Sequence, residues 1–224
     1  MRPLHNEDDV LSLQLRNLSV ATLNNKHLFA PVNMVIKKGE VGCIMGPSGI
    51  GKSTLLNAIG GHLSDNFCIT GSVLLNDKEM TETPVNKRHI GILFQDPLLF
   101  PHLSVGDNLA FGLTSTLVGT KQRRAEIDQA LDNAELSGFY DRNPATLSGG
   151  QQSRVALMRA LLAQPEALLL DEPFSKLDLE LRHTMREFLF AQARQRHTPM
   201  LLVTHDPAEA ATVNGPVVVL QSTS

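Results

Sequence analysis

The 224-residue sequence has no tryptophan, one tyrosine and two cysteines, Cys43 and Cys68. Two thiols are too few for a disulfide framework or a cysteine-based zinc site. Cys43 lies in an apolar run and reads as a small buried hydrophobe. Aromatic residues make up only 4% of the chain, so stacking platforms for bases are scarce. Basic excess is also missing: 20 Lys and Arg against 23 Asp and Glu leave a formal charge of −3. That balance argues against a face built to neutralise a phosphate backbone, so no nucleic-acid partner is expected. No run reaches the roughly eighteen apolar residues of a membrane-spanning helix. The start of the chain carries Glu7, Asp8 and Asp9 without the apolar core of a secretory signal. The expectation is a soluble intracellular protein, and without repeats or low-complexity linkers a single domain fits this length.

What is present is a core-forming alternation, with 42% hydrophobic residues. Leu11, Leu13 and Leu15 alternate with polar partners through Val20, and Val32 to Ile36 repeats the pattern; both read as half-buried strands. Val41 to Met45 is apolar on both faces, as in a central parallel strand. Lys52 to Ile59 reads as a helix, Val73 to Leu75 as a strand and Ile90 to Phe94 as another. Between Leu98 and Leu162 the pattern turns helical: Ile127, Ala130, Leu131 and Ala134 recur at helical spacing over Ala125 to Leu136. A second helix runs from Gly149 to Ala163 before Pro165. Strands at Ala167 to Leu170, Met200 to Val203 and Val217 to Leu220 alternate with a helix over Leu179 to Gln195. Asp206, Pro207 and Glu209 supply N-cap, N1 and N3 residues of a short helix. This order predicts an α/β fold with a mostly parallel core sheet.

Three stretches carry chemistry. Gly46-Pro47-Ser48-Gly49-Ile50-Gly51-Lys52-Ser53, followed by Thr54, fits G-x-x-x-x-G-K-[ST] between a buried strand and a helix. Its backbone N–H groups would cradle phosphate at a helix N-terminus, Lys52 would reach the β- and γ-phosphates and Ser53 would ligate Mg²⁺. Thr54 suits packing or capping better than metal binding. A chance match in a chain this long occurs about once in a hundred. Leu168-Leu169-Leu170-Asp171-Glu172 delivers Asp171 to a strand's carboxyl end, where its carboxylate could hold a Mg²⁺-bound water. Glu172 points elsewhere and could polarise an attacking water. Leu147-Ser148-Gly149-Gly150-Gln151 places a capping box, Ser148 with Gln151, at a helix start whose glycines leave N–H groups open to an anion. Two anion sites and one nucleotide fit poorly within a monomer and well if each subunit's helix end closes over its partner's nucleotide.

Together these stretches resemble the nucleotide-binding subunits of ATP-binding cassette (ABC) transporters, from about Leu11 to Leu220. The resemblance implies a P-loop NTPase (ABC ATPase) fold. Its parts would be the parallel core sheet, an antiparallel β subdomain and an inserted α-helical subdomain at about 96–162, within a single domain spanning 1–224. Gly46–Thr54 matches the Walker A loop, Leu168–Asp171 the Walker B strand and Leu147–Gln151 the signature. Gln95 falls at the Q-loop position that contacts Mg²⁺ and attacking water. Ser175-Lys176-Leu177-Asp178 looks like the D-loop that crosses the dimer interface, and His205 like the switch histidine bonding the γ-phosphate. The implied cofactors are ATP and Mg²⁺. The metal ligands would be Ser53, Gln95 and Asp171, with Glu172, His205 and Gln95 catalytic and Ser148, Gly149, Gly150 and Gln151 acting in trans within a homodimer.

The stretch Leu98-Leu99-Phe100-Pro101-His102-Leu103-Ser104-Val105, then Asn108-Leu109, resembles bacterial importer ATPases, nearest those for thiamine, sulfate, iron and polyamines. It implies a groove near Leu98, Leu99 and Phe100 for an integral membrane permease subunit, although internal packing would also account for these residues. A periplasmic solute-binding protein could belong to the same system. The expected location is the cytoplasmic face of the inner membrane, peripherally attached. A compact exporter ATPase, a soluble non-transport ABC ATPase and a P-loop kinase or GTPase are the competing classes; the last leaves the signature unexplained. Two departures stand out. Thr22, with Asn24 and Asn25 nearby, occupies the place of the family's adenine-stacking aromatic, and Phe29 suits a buried strand better. Weak selectivity between ATP and GTP is therefore expected. The chain runs only to Ser224, so no regulatory ligand site beyond the last strand is expected.

Overall fold

The structure is a computed structural model that describes residues 12–113 and 119–222. The acidic amino terminus and Leu11 of the first predicted strand lie outside the described residues. The chain divides into two compact units, one formed by Met1–Ile90, Glu166–Asp171 and Leu189–Ser224, the other by Gly91–Pro165 and Glu172–Phe188.

The first unit contains an antiparallel sheet of β1 (Ser12–Thr22), β2 (Val32–Lys37), β4 (Phe67–Leu75) and β5 (Lys78–Glu79), in the order β2-β1-β4-β5. Val32, Met34 and Ile36 are buried while Asn33, Val35 and Lys37 are exposed, so one face of β2 meets the core. β1 pairs with β4 on both sides of a bulge, from Leu13 opposite Leu75 to Thr22 opposite Phe67. The shift in register between Arg16 and Ser19 is a bulge around Asn17, whose φ is +48°. β4 begins at Phe67, well before the predicted Val73. Its first half alternates in exposure without a hydrophobic run, so its residues carry little strand signal.

A five-stranded sheet runs in the order β6-β7-β8-β3-β9, with β3 at Val41–Met45, β6 at Ile90–Leu93, β7 at Ala167–Asp171, β8 at Met200–Thr204 and β9 at Val217–Val219. β7 and β8 are buried at every position, the mark of parallel strands covered on both faces. β3 pairs in parallel with β8 from Val41–Met200 to Met45–Thr204, and β7 pairs with β8 from Leu168–Met200 to Asp171–Val203. Helix α1 (Lys52–Gly60) follows β3 and buries Leu55, Leu56 and Ile59.

The second unit is helical: α2 (Val105–Ala110), α3 (Thr120–Asn133) and α4 (Gly149–Leu162) pack around Val105, Leu109, Ile127, Leu131, Val155 and Leu161. Helix α3 starts five residues before the predicted Ala125, because its first turn, Thr120 to Arg123, is polar and exposed or half-exposed and leaves no apolar period to read. Helix α2 had no distinct helical signature. It is held by Asn108, fully buried, whose amide accepts from Phe100 N–H at 2.8 Å and donates to the Phe100 and Ser104 carbonyls. Asn108 thus fastens the loop after Pro97, whatever else that stretch does. Helix α5 (Leu179–Arg196) and the short α6 (Pro207–Ala210) complete the chain. No helix among the described residues is long and apolar enough to cross a membrane.

Candidate functional site

The parallel register brings three predicted groups to one edge of the first unit. Met45 pairs with Thr204 and Asp171 with Val203, so Gly46, His205 and Asp171 all sit at the carboxyl ends of adjacent strands. With strands spaced about 4.8 Å apart, the three strand ends lie within about 10 Å of one another. Open α/β sheets bind ligands at this end of the strands.

Gly46 to Ser53 form the loop between β3 and α1. Gly51 stands at the N-cap of α1 with φ +104°, and no side chain caps the helix. A side chain at Gly51 would be strained there and would meet Leu28 and the Phe29 ring at 3.2–3.3 Å. The first-turn N–H groups of α1 are therefore left for an outside acceptor. No acidic residue occupies that turn. Lys52, only 7% exposed, folds its ammonium over the loop and donates to the Gly46 and Pro47 carbonyls at 2.8 and 3.1 Å. Ser53 and Ser48 are exposed and Thr54 is half-buried, in line with a packing role for Thr54. Phe29 is fully buried in the loop between β1 and β2 rather than on a strand, and Thr22 ends β1.

Asp171 is 6% exposed at the end of β7. His205 is exposed, in a turn built by its neighbours: the Thr204 hydroxyl accepts from Asp206 N–H at 3.0 Å, and Asp206 caps α6 by accepting from Ala208 N–H at 2.8 Å. Glu209, expected at N3 of that helix, is buried and takes the Thr204 hydroxyl.

The other predicted residues belong to the second unit. Ser148 Oγ accepts from Gln151 N–H at 3.3 Å and Gln151 Oε1 from Ser148 N–H at 2.9 Å, a complete capping box on α4. A Cβ on Gly150 would stand 2.9 Å from the Lys176 carbonyl oxygen, so the neighbouring turn by itself favours glycine there. Asp178 accepts from Leu181 N–H at 3.0 Å and so caps α5, a local role the sequence reading missed. Glu172 has φ +47°, a left-handed backbone that redirects its side chain after the strand. Its carbonyl is held by the Ser175 amide and hydroxyl. Gln95 is exposed, with its carbonyl accepting from Lys176 Nζ at 3.2 Å.

A cavity of about 480 Å³ in the second unit is lined by Leu93, Phe94, Leu98, Phe100, Phe111 and Arg159, among others. Leu98, at 60% exposed, and Phe100 line it, whereas Leu99 is half-buried and is not among the lining residues. Arg159 instead supplies the wall, its guanidinium donating to the Leu98 and Pro97 carbonyls, and burial pushes its pKa down.

A glycine loop at an uncapped helix, a strand-end carboxylate in register with it and a capped Ser-Gly-Gly-Gln helix define an ATP-binding cassette. The chain belongs to the ABC transporter family, whose pattern matches residues 29–175, and it is an ATPase of that family. It is 46% identical to the uncharacterized ABC transporter ATP-binding protein YnjD of Escherichia coli (strain K12), over 90% of this chain and 94% of that one. It is 38% identical to the Fe(3+) ions import ATP-binding protein FbpC and 40% identical to the maltose/maltodextrin import ATP-binding protein MalK, both of Mannheimia succiniciproducens, over 93% and 94% of this chain. The chain spans 58% and 56% of those two proteins, little more than half their length. Its fold matches the ATP-binding cassette MJ0796, solved as a dimer in a post-hydrolysis state bound to ADP and Pi. The TM-score is 0.81 at 30% identity, covering 94% of each chain.

Proposed function

We propose that this chain is the ATP-hydrolysing subunit of a membrane importer, working as a homodimer that closes on ATP. The observation that carries the site assignment is the register placing Gly46, Asp171 and His205 at one sheet edge beside the uncapped start of α1. The import reading is supported by relatives named as import ATP-binding proteins for iron, maltodextrin, spermidine or putrescine and sulfate. In this reading the whole chain acts as one ATPase domain with residues of about 96–162 as its helical subdomain. It attaches peripherally at the cytoplasmic face of the inner membrane, its cavity near Leu98 and Phe100 takes a permease segment, and a periplasmic solute-binding protein delivers the cargo.

Phosphoryl transfer to water asks mainly for positioning and charge stabilisation. Backbone N–H groups of the Gly46–Thr54 loop, Pro47 excepted since it has none, and the Lys52 ammonium hold the β- and γ-phosphates. Glu172 takes a proton from the attacking water, Gln95 orients that water and His205 donates to the γ-phosphate. Ser148, Gly149, Gly150 and Gln151 of the second copy complete the cage, and Asp178 lies at the crossing between copies. Because the γ-phosphate joins both copies, its loss releases them, and the cycle becomes motion.

Ser53 and Asp171 offer hard oxygen donors, and the described residues contain no group of three or more His, Cys, Asp or Glu able to cage a metal alone. Such a set fits Mg²⁺ that draws its remaining ligands from phosphate and water. Ser53, Asp171 and Gln95 would hold it, and bound there it would offset phosphate charge.

Glu172→Gln tests the reading: it should retain ATP binding, reduce hydrolysis by at least a hundredfold and accumulate an ATP-bound dimer in light scattering. Wild-type turnover in that variant would remove Glu172 from the mechanism. Lys52→Ala should abolish nucleotide affinity, and unchanged ATP binding would refute the phosphate assignment.

A further inference from the structure

Between the end of β6 and the loop fastened by Asn108, the chain from Gln95 to Leu98 belongs to no helix or strand, and Leu98 has φ +46°. Three of its carbonyls are taken by two cations. Arg159, half-buried with its guanidinium 5.6 Å from the Phe100 ring centroid, donates Nη2 to Pro97 O at 3.1 Å and Nη1 to Leu98 O at 3.0 Å. Lys176 donates Nζ to Gln95 O at 3.2 Å and stands 3.5 Å from Asp96 Oδ1. Asp96 is 85% exposed, so the ion pair itself contributes little and the hydrogen bond to the carbonyl is the structural link.

Lys176 also reaches the start of α4. A Cβ on Gly149 would sit 3.7 Å from Lys176 Cδ, and one on Gly150 only 2.9 Å from the Lys176 carbonyl oxygen. The stem of this lysine therefore passes Gly149 and its backbone carbonyl faces Gly150, while its ammonium holds Gln95. It also precedes Asp178, the cap of α5, by two residues. One side chain joins the helix start, the turn into α5 and the segment carrying Gln95, all within the second unit.

We propose that Lys176 is a positioning residue for Gln95. It couples the Ser148–Gln151 helix start to the Gln95 backbone, so that engagement of the helix start sets where the Gln95 side chain stands. Arg159, half-buried beside Phe100 and bonded to two carbonyls, is the fixed anchor of the segment, and Lys176 is the exposed and adjustable one. The proposal rests on the reading of Gln95 as a group acting at the nucleotide.

The test uses the full chain with Lys176→Met, which keeps the stem and removes the donor, Lys176→Arg, which restores a cation, and Gln95→Ala. Steady-state hydrolysis of Mg-ATP and hydrogen–deuterium exchange over residues 93–100 are both measured. Lys176→Met should lower kcat about three- to tenfold, leave KM within about twofold and speed exchange in that segment. Lys176→Arg should recover at least half of kcat. Unchanged exchange in Lys176→Met would overturn the tether. A raised KM with kcat intact would overturn it too, showing that the ammonium binds phosphate directly. If Gln95→Ala is impaired and Lys176→Met is not, the coupling alone falls. If Gln95→Ala hydrolyses at the wild-type rate, the catalytic reading of Gln95 falls, and exchange still decides whether Lys176 holds the segment.

Discussion

The Thr204 hydroxyl donates to Glu209 Oε2 across 2.6 Å, with the two residues 2% and 4% exposed. The Thr204 hydroxyl oxygen also accepts from Asp206 N–H, so the turn that presents His205 is braced on one side by a buried carboxylate and on the other by a backbone amide. Glu209→Gln keeps an acceptor and should be mild. Glu209→Ala leaves the buried hydroxyl without an acceptor and should cost about 1–3 kcal/mol. Urea unfolding of both variants measures the difference, and equal stability of the two would contradict this account of the turn.

Ser148→Arg bears on the role of α4 in trans. Losing the cap should cost about 1 kcal/mol of stability, while ATP binding to the isolated chain stays as in wild type. ATP-driven dimerisation, followed by light scattering in the Glu172→Gln background, should be lost. Unaltered dimerisation would exclude the helix start from the interface.

Arg88 closes the opposite end of α1. Its guanidinium donates to Ala58 O, Ile59 O, Thr81 O and Thr83 O at 2.7–3.2 Å, and burial holds its pKa below the usual arginine value. Arg88→Met should destabilise the protein by about 3 kcal/mol, because buried carbonyls lose charged donors. Arg88→Lys should restore only part of this, since one ammonium cannot reproduce the planar fork. A loss under 0.5 kcal/mol on chemical denaturation, roughly that of an ordinary surface change, would show that these bonds do not anchor the helix.

Cys43 is buried, and burial first, then the neighbouring negative Glu209, raises its thiol pKa from 9.0 to about 12. Between those values the unfolded chain has released the proton and the folded chain keeps it. Stability should therefore fall as pH rises through that window and be independent of this group below it. Cys68 is exposed. A thiol reagent at mildly alkaline pH should modify Cys68 alone in the native protein and both cysteines once unfolded. Rapid native labelling of Cys43 would contradict its burial.

Much of this fold is legible in the residues. Val41–Met45, Ala167–Asp171 and Met200–Thr204 announce themselves as continuous apolar runs, and Gly46–Ser53 and Leu147–Gln151 by glycines at fixed spacing beside Lys or Ser. Phe67–Ser72 and Thr120–Arg124 escaped because they carry too little apolar period, and their strand and helix come from pairing and from neighbouring buried residues. The resemblance to importer ATPases groups Leu99 with Leu98 and Phe100, and only the structure shows that Leu99 is half-buried while the other two are exposed. Lys176 lies in the D-loop-like stretch Ser175–Asp178, but nothing in that stretch records its bond to Gln95, 81 residues away.

Apolar period and glycine spacing by themselves determined an α/β fold with a glycine loop ahead of one helix and a Ser-Gly-Gly-Gln capping box at the start of another, because those features are local and survive in any context. Which residues brace them was decided only by tertiary structure. Glu209 against Thr204, Arg88 against the end of α1 and Lys176 against Gln95 join positions 5, 29–30 and 81 residues apart. Such contacts arise when packing brings a donor to a carbonyl or carboxylate that would otherwise lack one, and no local pattern in the chain records where that occurs.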